Sequence, residues 1–140
     1  MFLLDTNVVS ELRRPDRAHR NVRDWASTAP ISYFFLSAIS VLEIELGLLR
    51  ITRRDSVQGS ILRQWLDNQI LTQFDGRILA VDISVALRCA ALHVPDPRPE
   101  RDALIAATAL VHGLTVVTRN VEDFRSMGVT LLNPWDQQAS

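Results

Sequence analysis

Lysine is absent from this 140-residue chain, and all fifteen of its basic residues are arginine. No lysine is available to form a Schiff base or to hold a phosphate group, so enzymes that depend on either are excluded. The absence also weighs against a phosphatase or phosphotransferase that uses an aspartyl-phosphate, because such sites generally bring a lysine to the phosphate. Arginine is compatible with phosphate recognition, although coding bias is the simpler explanation for its exclusive use.

Cysteine and long apolar runs are equally scarce. Cys89 is the single cysteine, so no disulfide can close within the chain, and a reducing compartment is expected, with the cytoplasm as the default. No apolar run approaches the ~20 residues that cross a bilayer, and the opening MFLLD lacks the features of a signal peptide. The net charge of −1 excludes nucleic-acid binding through bulk positive charge, but not through local basic patches.

Short apolar runs alternate along the chain with longer helical patterns. The runs predict five strands, at residues 2–5, 33–37, 78–82, 115–118 and 129–132. The helical patterns predict helices at 7–13, 18–28, 38–50, 56–73, 83–93 and 100–112. Nearly continuous apolar strands separated by helices are typical of a single α/β domain whose parallel sheet is covered on both faces.

Polar residues follow two of the predicted strands. Asp5 closes the first strand, and the segment 118–123 follows the fourth. Ligands of open parallel sheets bind beyond the carboxyl ends of the strands, so acids at these points are candidate site residues. In the second segment Asn120 and Asp123 are three residues apart and can face the same region. The alternative is structural: Asp5 caps the helix that begins near Asn7, and Asn120 is a capping residue beside a surface aspartate.

Two further acids lie on predicted helices. Glu43 shares a narrow polar and small-residue stripe with Gly47, and a glycine inside a helix suggests that another backbone approaches closely. Asp102 lies in the first turn of the helix at 100–112 and projects among alanines, away from the polar side chains of that helix. The alternatives are a solvent-facing glutamate and an aspartate that only complements the positive end of its helix.

All four acids can converge at one carboxyl edge of the predicted sheet. Carboxylates brought together repel one another and raise their pKa values, a cost that a bound cation would offset. Ligands that are all oxygen favour Mg²⁺ or Mn²⁺, whereas Cys89 and the three histidines have no spacing that suits structural zinc. The pattern therefore indicates a site for a hard divalent cation.

Four segments, taken in order, resemble the successive motifs of one protein family. They are FLLDTNVVSEL, the segment around Glu43 and Gly47, RDALIAATALVHGL and VVTRNVEDFRSMGVTLLNP. From Phe2 to Pro134 the chain is similar to PIN-domain proteins, in the VapC-type toxin branch of bacterial toxin–antitoxin pairs. The resemblance implies one PIN-like domain over residues 1–134, followed by a C-terminal tail at residues 135–140.

The resemblance also implies a fold and a function. The fold is a parallel sheet of four to five strands between helices, and the activity is that of an endoribonuclease that depends on Mg²⁺ or Mn²⁺. The implied partners are an RNA substrate, a cognate VapB-type antitoxin and a second copy of the chain. The family's catalytic and metal-binding acids fall on Asp5, Glu43, Asp102 and Asp123, and its accessory polar positions on Thr6, Thr118 and Asn120. Some relatives have an acid in place of Asn120, which leaves the number of metal ions open.

Arginines are the candidate contacts for RNA, because carboxylates alone would repel it. Arg13, Arg14 and Arg17 follow the Asp5 segment, and Arg119 lies nearer the acids. The alternative for the first group is a solvated helix face. A second function also stays open, that of a PIN-fold protein which binds RNA or a partner without cleaving.

Overall fold

The fold is built on one parallel sheet. The computed structural model describes residues 1–136, and its strands follow the five apolar runs predicted from the sequence. The strands are β1 (Phe2–Leu4), β2 (Phe34–Ser37), β3 (Ile78–Leu79), β4 (Thr115–Val117) and β5 (Leu131–Leu132). Their spatial order is β3-β2-β1-β4-β5, and every neighbouring pair is parallel. Because β1 is central, the residue that follows it lies in the middle of the carboxyl edge.

Helices connect the strands. They are α1 (Thr6–Leu12), α2 (Arg20–Ala26), α3 (Ala38–Arg54), α4 (Ser56–Trp65), α5 (Leu71–Gln73), α6 (Ile83–Leu92), α7 (Glu100–His112) and α8 (Val121–Phe124). A π-helical turn, Leu66–Ile70, joins α4 to α5, so the helix predicted at 56–73 is present in three consecutive pieces. The helix predicted at 38–50 continues to Arg54, since the backbone becomes extended only at Asp55. None of the helices described is long and apolar enough to span a membrane.

Alternate residues of the strands enter two apolar clusters, one on each face of the sheet. Leu4 and Val117 pack with Trp25 and with side chains of α1, α3 and α4. Leu3 and Val116 pack on the other face, against α6 and α7. Because both faces are covered, the strands stay apolar until they end. The predicted α/β domain, a parallel sheet between helices, is confirmed.

Local hydrogen bonds start two helices directly at strand ends. Asp5 Oδ1 accepts a hydrogen bond from the backbone N–H of Thr6, which begins α1. Ser37 Oγ accepts one from the N–H of Ile39 at 3.0 Å, which begins α3. α7 ends at Gly113, whose φ of 68° lies in the left-handed region that glycine adopts without strain. The side chains on the first turns of α1 and α3 are therefore held close to the carboxyl edge.

Trp135, the first residue of the predicted tail, packs against the rest of the fold. Its ring packs against the cluster that contains Trp25, and its carbonyl accepts a hydrogen bond from Asn21 Nδ2 at 2.7 Å. The guanidinium of Arg119 lies 5.2 Å from the centre of the Trp135 ring. Residues 137–140 of the predicted tail lie outside the described residues, and the boundary after residue 134 stays a prediction.

Two glycines inside helices have opposite surroundings. The suggestion that another backbone approaches Gly47 is wrong, because a Cβ built there would meet no atom within 4 Å. Close approach occurs instead at Gly59 of α4, where a Cβ would lie 2.8 Å from Thr52 Cα and 2.1 Å from Thr52 Oγ1. Gly59 therefore permits the contact between α3 and α4.

These surroundings predict stability changes of opposite sign. Gly59→Ala should destabilise the fold by roughly 1–3 kcal/mol, because the clash with Thr52 forces the two helices apart. Gly47→Ala should stabilise it by roughly 0.5–1 kcal/mol through helix propensity alone. Urea unfolding followed by circular dichroism measures both changes, and equal effects from the two variants would contradict the packing described.

Candidate active site

Asp5 is the most constrained acid of the chain. It follows central strand β1, the residue is only 6% exposed, and its N–H donates to Val117 O at 2.9 Å. Its Oδ1 accepts from Thr6 N at 2.8 Å, and its Oδ2 accepts from Thr118 Oγ1 at 2.8 Å and from Asn7 Nδ2 at 3.3 Å. The helix cap, given above as the alternative role of Asp5, is therefore present, and the same hydrogen bonds fix the direction of the carboxylate.

Thr118 and Asn7 join the ends of β1 and β4. Thr118 Oγ1 is fully buried, and besides donating to Asp5 it accepts from the backbone N–H of Asn120 at 3.0 Å. Asn7 Nδ2 lies 3.3 Å from that same oxygen, and Asn7 Oδ1 accepts from Arg119 N at 3.3 Å. Asn7 was not among the accessory positions implied by the family resemblance, but the sequence predicted it as a turn or cap residue that could orient the Asp5 carboxylate, and its hydrogen bond to Asp5 confirms this. Its signal in the sequence was its place two residues after Asp5, where a side-chain amide can reach back to the carboxylate.

Glu43 reaches the same edge from α3. Its Oε1 accepts a hydrogen bond from Thr6 Oγ1 at 2.8 Å, which ties α3 to the residue after Asp5. Its Oε2 lies 3.8 Å from Arg101 Nη1, at the start of α7. Sequence reasoning did not foresee this ion pair, because it depends on how α3 and α7 pack.

Glu45, two residues further along α3, has a different environment. It forms a two-pronged ion pair with Arg63 of α4, at 2.9 and 2.6 Å. The hydrogen bond from Arg63 holds the pKa of Glu45 below its usual value. Glu43 and Glu45 therefore contact different neighbours, and Glu45 is no candidate ligand.

Asp102 and Asp123 are the other two members of the acid group, and their charges interact with those of Asp5 and Glu43. Burial raises the pKa of Asp102 to about 6, and the negative charges of the other three acids add to that rise. Burial also raises the pKa of Asp5, against the opposing effect of the hydrogen bonds from Thr118 and Thr6. The charges of Glu43 and Asp123 raise it further. The structure thus brings all four predicted acids within electrostatic reach of one another, with Asp123 the most exposed.

The donor set suits a hard divalent cation. Its candidate ligands are all carboxylate oxygens, and their mutual repulsion is the charge imbalance that such a cation offsets. Ser40 Oγ, on the face of α3 shared with Glu43, is buried without a hydrogen-bond partner in the described chain. Across residues 1–136 no three histidine, cysteine, aspartate or glutamate side chains form a ready-made metal cluster. The acids therefore fit a cation by chemistry and charge, and their side chains would have to close around it.

A groove of about 190 Å³ opens beside the acids, between α1, α3 and α4. Its lining includes Thr6, Glu43, Arg13 and Trp65. A larger cavity of about 490 Å³ also includes Arg13 and Trp65, but it lies among apolar core side chains and contains none of the four acids. The smaller groove is therefore the one that adjoins the candidate active site.

The predicted RNA-contacting arginines have varied surroundings. The guanidinium of Arg13 lies 5.9 Å from the centre of the Trp65 ring, and burial together with the charge of Arg14 lowers its pKa. Arg14 is partly buried and Arg17 is exposed. Arg119 is exposed and lies over Trp135. None of these side chains forms an ion pair with the four acids in the part of the chain described, and their contact with RNA stays a prediction.

A parallel α/β sheet with a buried aspartate at the end of its central strand, and three more acids around it, defines the general class of this protein. The sequence model of the PIN domain matches residues 2–129. The chain belongs to the PIN domain family, as the resemblance of its motifs indicated.

Relatives cover nearly the whole chain. VapC ribonuclease Y4jK of Sinorhizobium fredii is 34% identical over 97% of this chain and 99% of its own length. Toxin FitB of Neisseria gonorrhoeae is 38% identical over 96% of this chain and 99% of its own length. The crystal structure of FitAcB from Neisseria gonorrhoeae superposes with a TM-score of 0.87 at 36% identity, covering 96% of this chain and 99% of that one.

The raised pKa of Asp102 predicts a pH-dependent stability. An unfolded aspartate titrates near ~4, so between about pH 4 and 6 the folded chain binds more protons and loses stability as the pH rises. Asp102→Asn should therefore be more stable than the wild type at pH 7, by roughly 1–2 kcal/mol once solvent screening of this partly exposed group is allowed for, and the gap should close towards pH ~4.

Urea unfolding of chelator-treated protein at several pH values measures this gap. Asp96→Asn is the matched control, because Asp96 is exposed in the proline-rich loop before α7 and should change stability by no more than ~0.5 kcal/mol. A gap for Asp102→Asn that is independent of pH would contradict the electrostatic coupling.

Proposed function

We propose that this chain is the toxin of a toxin–antitoxin pair and acts as a divalent-metal-dependent endoribonuclease. The observation that carries the proposal is the group of four acids in mutual electrostatic reach at the carboxyl edge, centred on the buried Asp5. Membership of the PIN domain family supports it, as do relatives named VapC ribonuclease and Toxin FitB.

In this proposal the four acids hold the cation, Mg²⁺ or Mn²⁺. Asp5, Glu43 and Asp102 form the main site, and Asp123 completes it directly or through water. When bound, the cation supplies charge stabilisation at the phosphodiester and lowers the pKa of a water molecule. The remaining polar groups act on the acids: Thr118 and Thr6 orient the carboxylates of Asp5 and Glu43 through their hydroxyls.

Asn120 also helps to orient the carboxylate of Asp5. Its N–H donates to Thr118 Oγ1, which directs the hydroxyl hydrogen of Thr118 to Asp5. The chain from Asn120 through Thr118 therefore keeps one oxygen of Asp5 occupied by a neutral donor. That hydrogen bond lowers the pKa of Asp5, against the burial that raises it.

RNA is proposed to approach along the groove beside Thr6 and Glu43. Arg13 lines this groove, and Arg14, Arg17 and Arg119 are proposed as further phosphate contacts. Single-stranded RNA suits such a site best, because its phosphates can bend towards a sheet edge and its bases are free to stack.

Membership of the PIN domain family is the basis for the proposed partners and location. A VapB-type antitoxin would bind the toxin, and two toxin chains would form a homodimer within a larger toxin–antitoxin assembly in the cytoplasm. Ile83 and Leu87 lie one turn apart on α6 and are both mostly exposed, and an apolar pair of this kind supports a surface that another protein covers.

Two glutamates of α3 test the catalytic site. Glu43→Gln should lower kcat roughly 100-fold or more with Mg²⁺ or Mn²⁺, because it removes a charge from the acid group at nearly constant shape. Glu45→Gln alters the same helix on its Arg63 side and should cleave RNA like the wild type. The measurement is the rate at which purified, antitoxin-free protein cuts labelled RNA.

A chelator and Asp5→Asn serve as further controls in that assay. Both should abolish cleavage, and added Mg²⁺ or Mn²⁺ should restore it only in the wild type. Cleavage that survives both would contradict the metal-dependent mechanism, and RNA binding without any cleavage would favour a PIN-fold binding protein.

The oligomeric state can be tested separately. Antitoxin-free protein should elute in size-exclusion chromatography with light scattering at about twice the mass of one chain, since exposed apolar side chains favour association. A monomer at every concentration tested would contradict the proposed homodimer.

A further inference from the structure

Arg101 is the one arginine within ion-pair distance of the acid group in residues 1–136. It lies on the first turn of α7, directly before Asp102, and its Nη1 is 3.8 Å from Glu43 Oε2. Other arginines of the described residues pair with acids outside the site, such as Glu45 and Asp24. Arg101 therefore adds a positive charge beside one member of the acid group.

The pair with Glu43 is loose. Its separation is near the upper limit for an ion pair, and the side chain of Arg101 is 50% exposed against 27% for Glu43. Ion pairs of this kind contribute little to stability. The other oxygen of Glu43 is already engaged by Thr6 at 2.8 Å, so Glu43 keeps its place without Arg101. The guanidinium is thus free to leave Glu43 for a better anion.

A phosphodiester is such an anion. The planar guanidinium offers paired N–H donors that match two phosphate oxygens, which a single distant carboxylate oxygen does not use. A cation bound by Glu43 would also remove the charge that holds Arg101 there. We propose that Arg101 binds a phosphate of the RNA beside the acid site, and that its pair with Glu43 is the resting arrangement.

This inference rests on the proposed nuclease function and adds a substrate-binding residue to it. RNA reaching four carboxylates meets strong repulsion, and Arg101 is placed to offset it at the site itself. The arginines of residues 13–17 belong to a different segment and act, in this view, on more distant phosphates. The sequence assigned Arg101 no role, since only the packing of α7 beside α3 brings it to Glu43.

Binding of a fluorescein-labelled single-stranded RNA tests the proposal. It is measured by anisotropy over a range of salt concentrations, in the Asp5→Asn background so that the RNA stays intact. Adding Arg101→Gln should weaken binding roughly tenfold and reduce the slope of log K against log salt by about 0.7, the loss of one phosphate contact. Arg101→Lys should restore the slope but only part of the affinity, because it keeps the charge and loses the fork.

Arg88→Gln, at an exposed arginine of α6, is the matched control and should leave the affinity unchanged. Equal RNA binding by the Arg101→Gln and Arg88→Gln proteins would overturn the inference. So would a change confined to Mn²⁺ affinity, measured by electron paramagnetic resonance, since that would make Arg101 only a counter-ion of Glu43. Thermal melts of each variant confirm that it is folded.

Cleavage by the chain with native Asp5 separates this inference from the function on which it rests. If that protein cuts RNA with Mg²⁺ and Arg101→Gln raises KM while kcat is retained, both proposals stand. If it cuts RNA and Arg101→Gln changes neither KM nor the salt slope, only the role of Arg101 fails. If it does not cut RNA at all, the proposed nuclease function is wrong, and the role of Arg101 is then judged by the RNA-binding measurement.

Discussion

Mutual repulsion among four carboxylates is the constraint on which the rest of this structure depends. Asp5 lies at the end of the central strand, so acids from the neighbouring elements approach it from both sides. Burial and the charges of those acids raise its pKa, while the hydrogen bonds from Thr118 and Thr6 lower it. Those donors come from the residues after β4 and β1. The strand ends of the sheet thus bring the acids close together and also provide the hydrogen-bond donors that partly offset their repulsion.

The sheet and the acid positions were predictable because both depend on local sequence. Strands covered on two faces must be apolar throughout, so each one is visible as a short run that ends at the first polar residue. In parallel strands those ends meet at one edge, which places Asp5 and the segment 118–123 together without knowledge of any side chain. Glu43 could be distinguished from Glu45 in the same way, since helical periodicity alone separates them by about 200°.

Contacts between helices could not be predicted, because they depend on which side chains meet across elements far apart in sequence. Gly47 and Gly59 look alike as glycines inside helices, yet only Gly59 lies against another backbone. Asn7 was visible as a turn residue, but its bridge to Thr118 spans 111 positions. Arg101 had the appearance of an ordinary polar position until α7 was placed beside α3. In each case the sequence predicted the helix but not the residues that contact it.

An arginine that is near an acid in the sequence is not always near the acid group in the structure. Arg13 follows Asp5 by eight residues, yet it stacks near Trp65, while Arg101 approaches Glu43 from the other half of the chain. Arg101 also differs from every other arginine in its link to the acids: its backbone is that of the residue before Asp102. Any movement of the first turn of α7 therefore displaces an acid and a base together. In the proposed nuclease this coupling keeps the backbones of the acid and the base together, while the exposed guanidinium of Arg101 stays able to turn from Glu43 towards RNA.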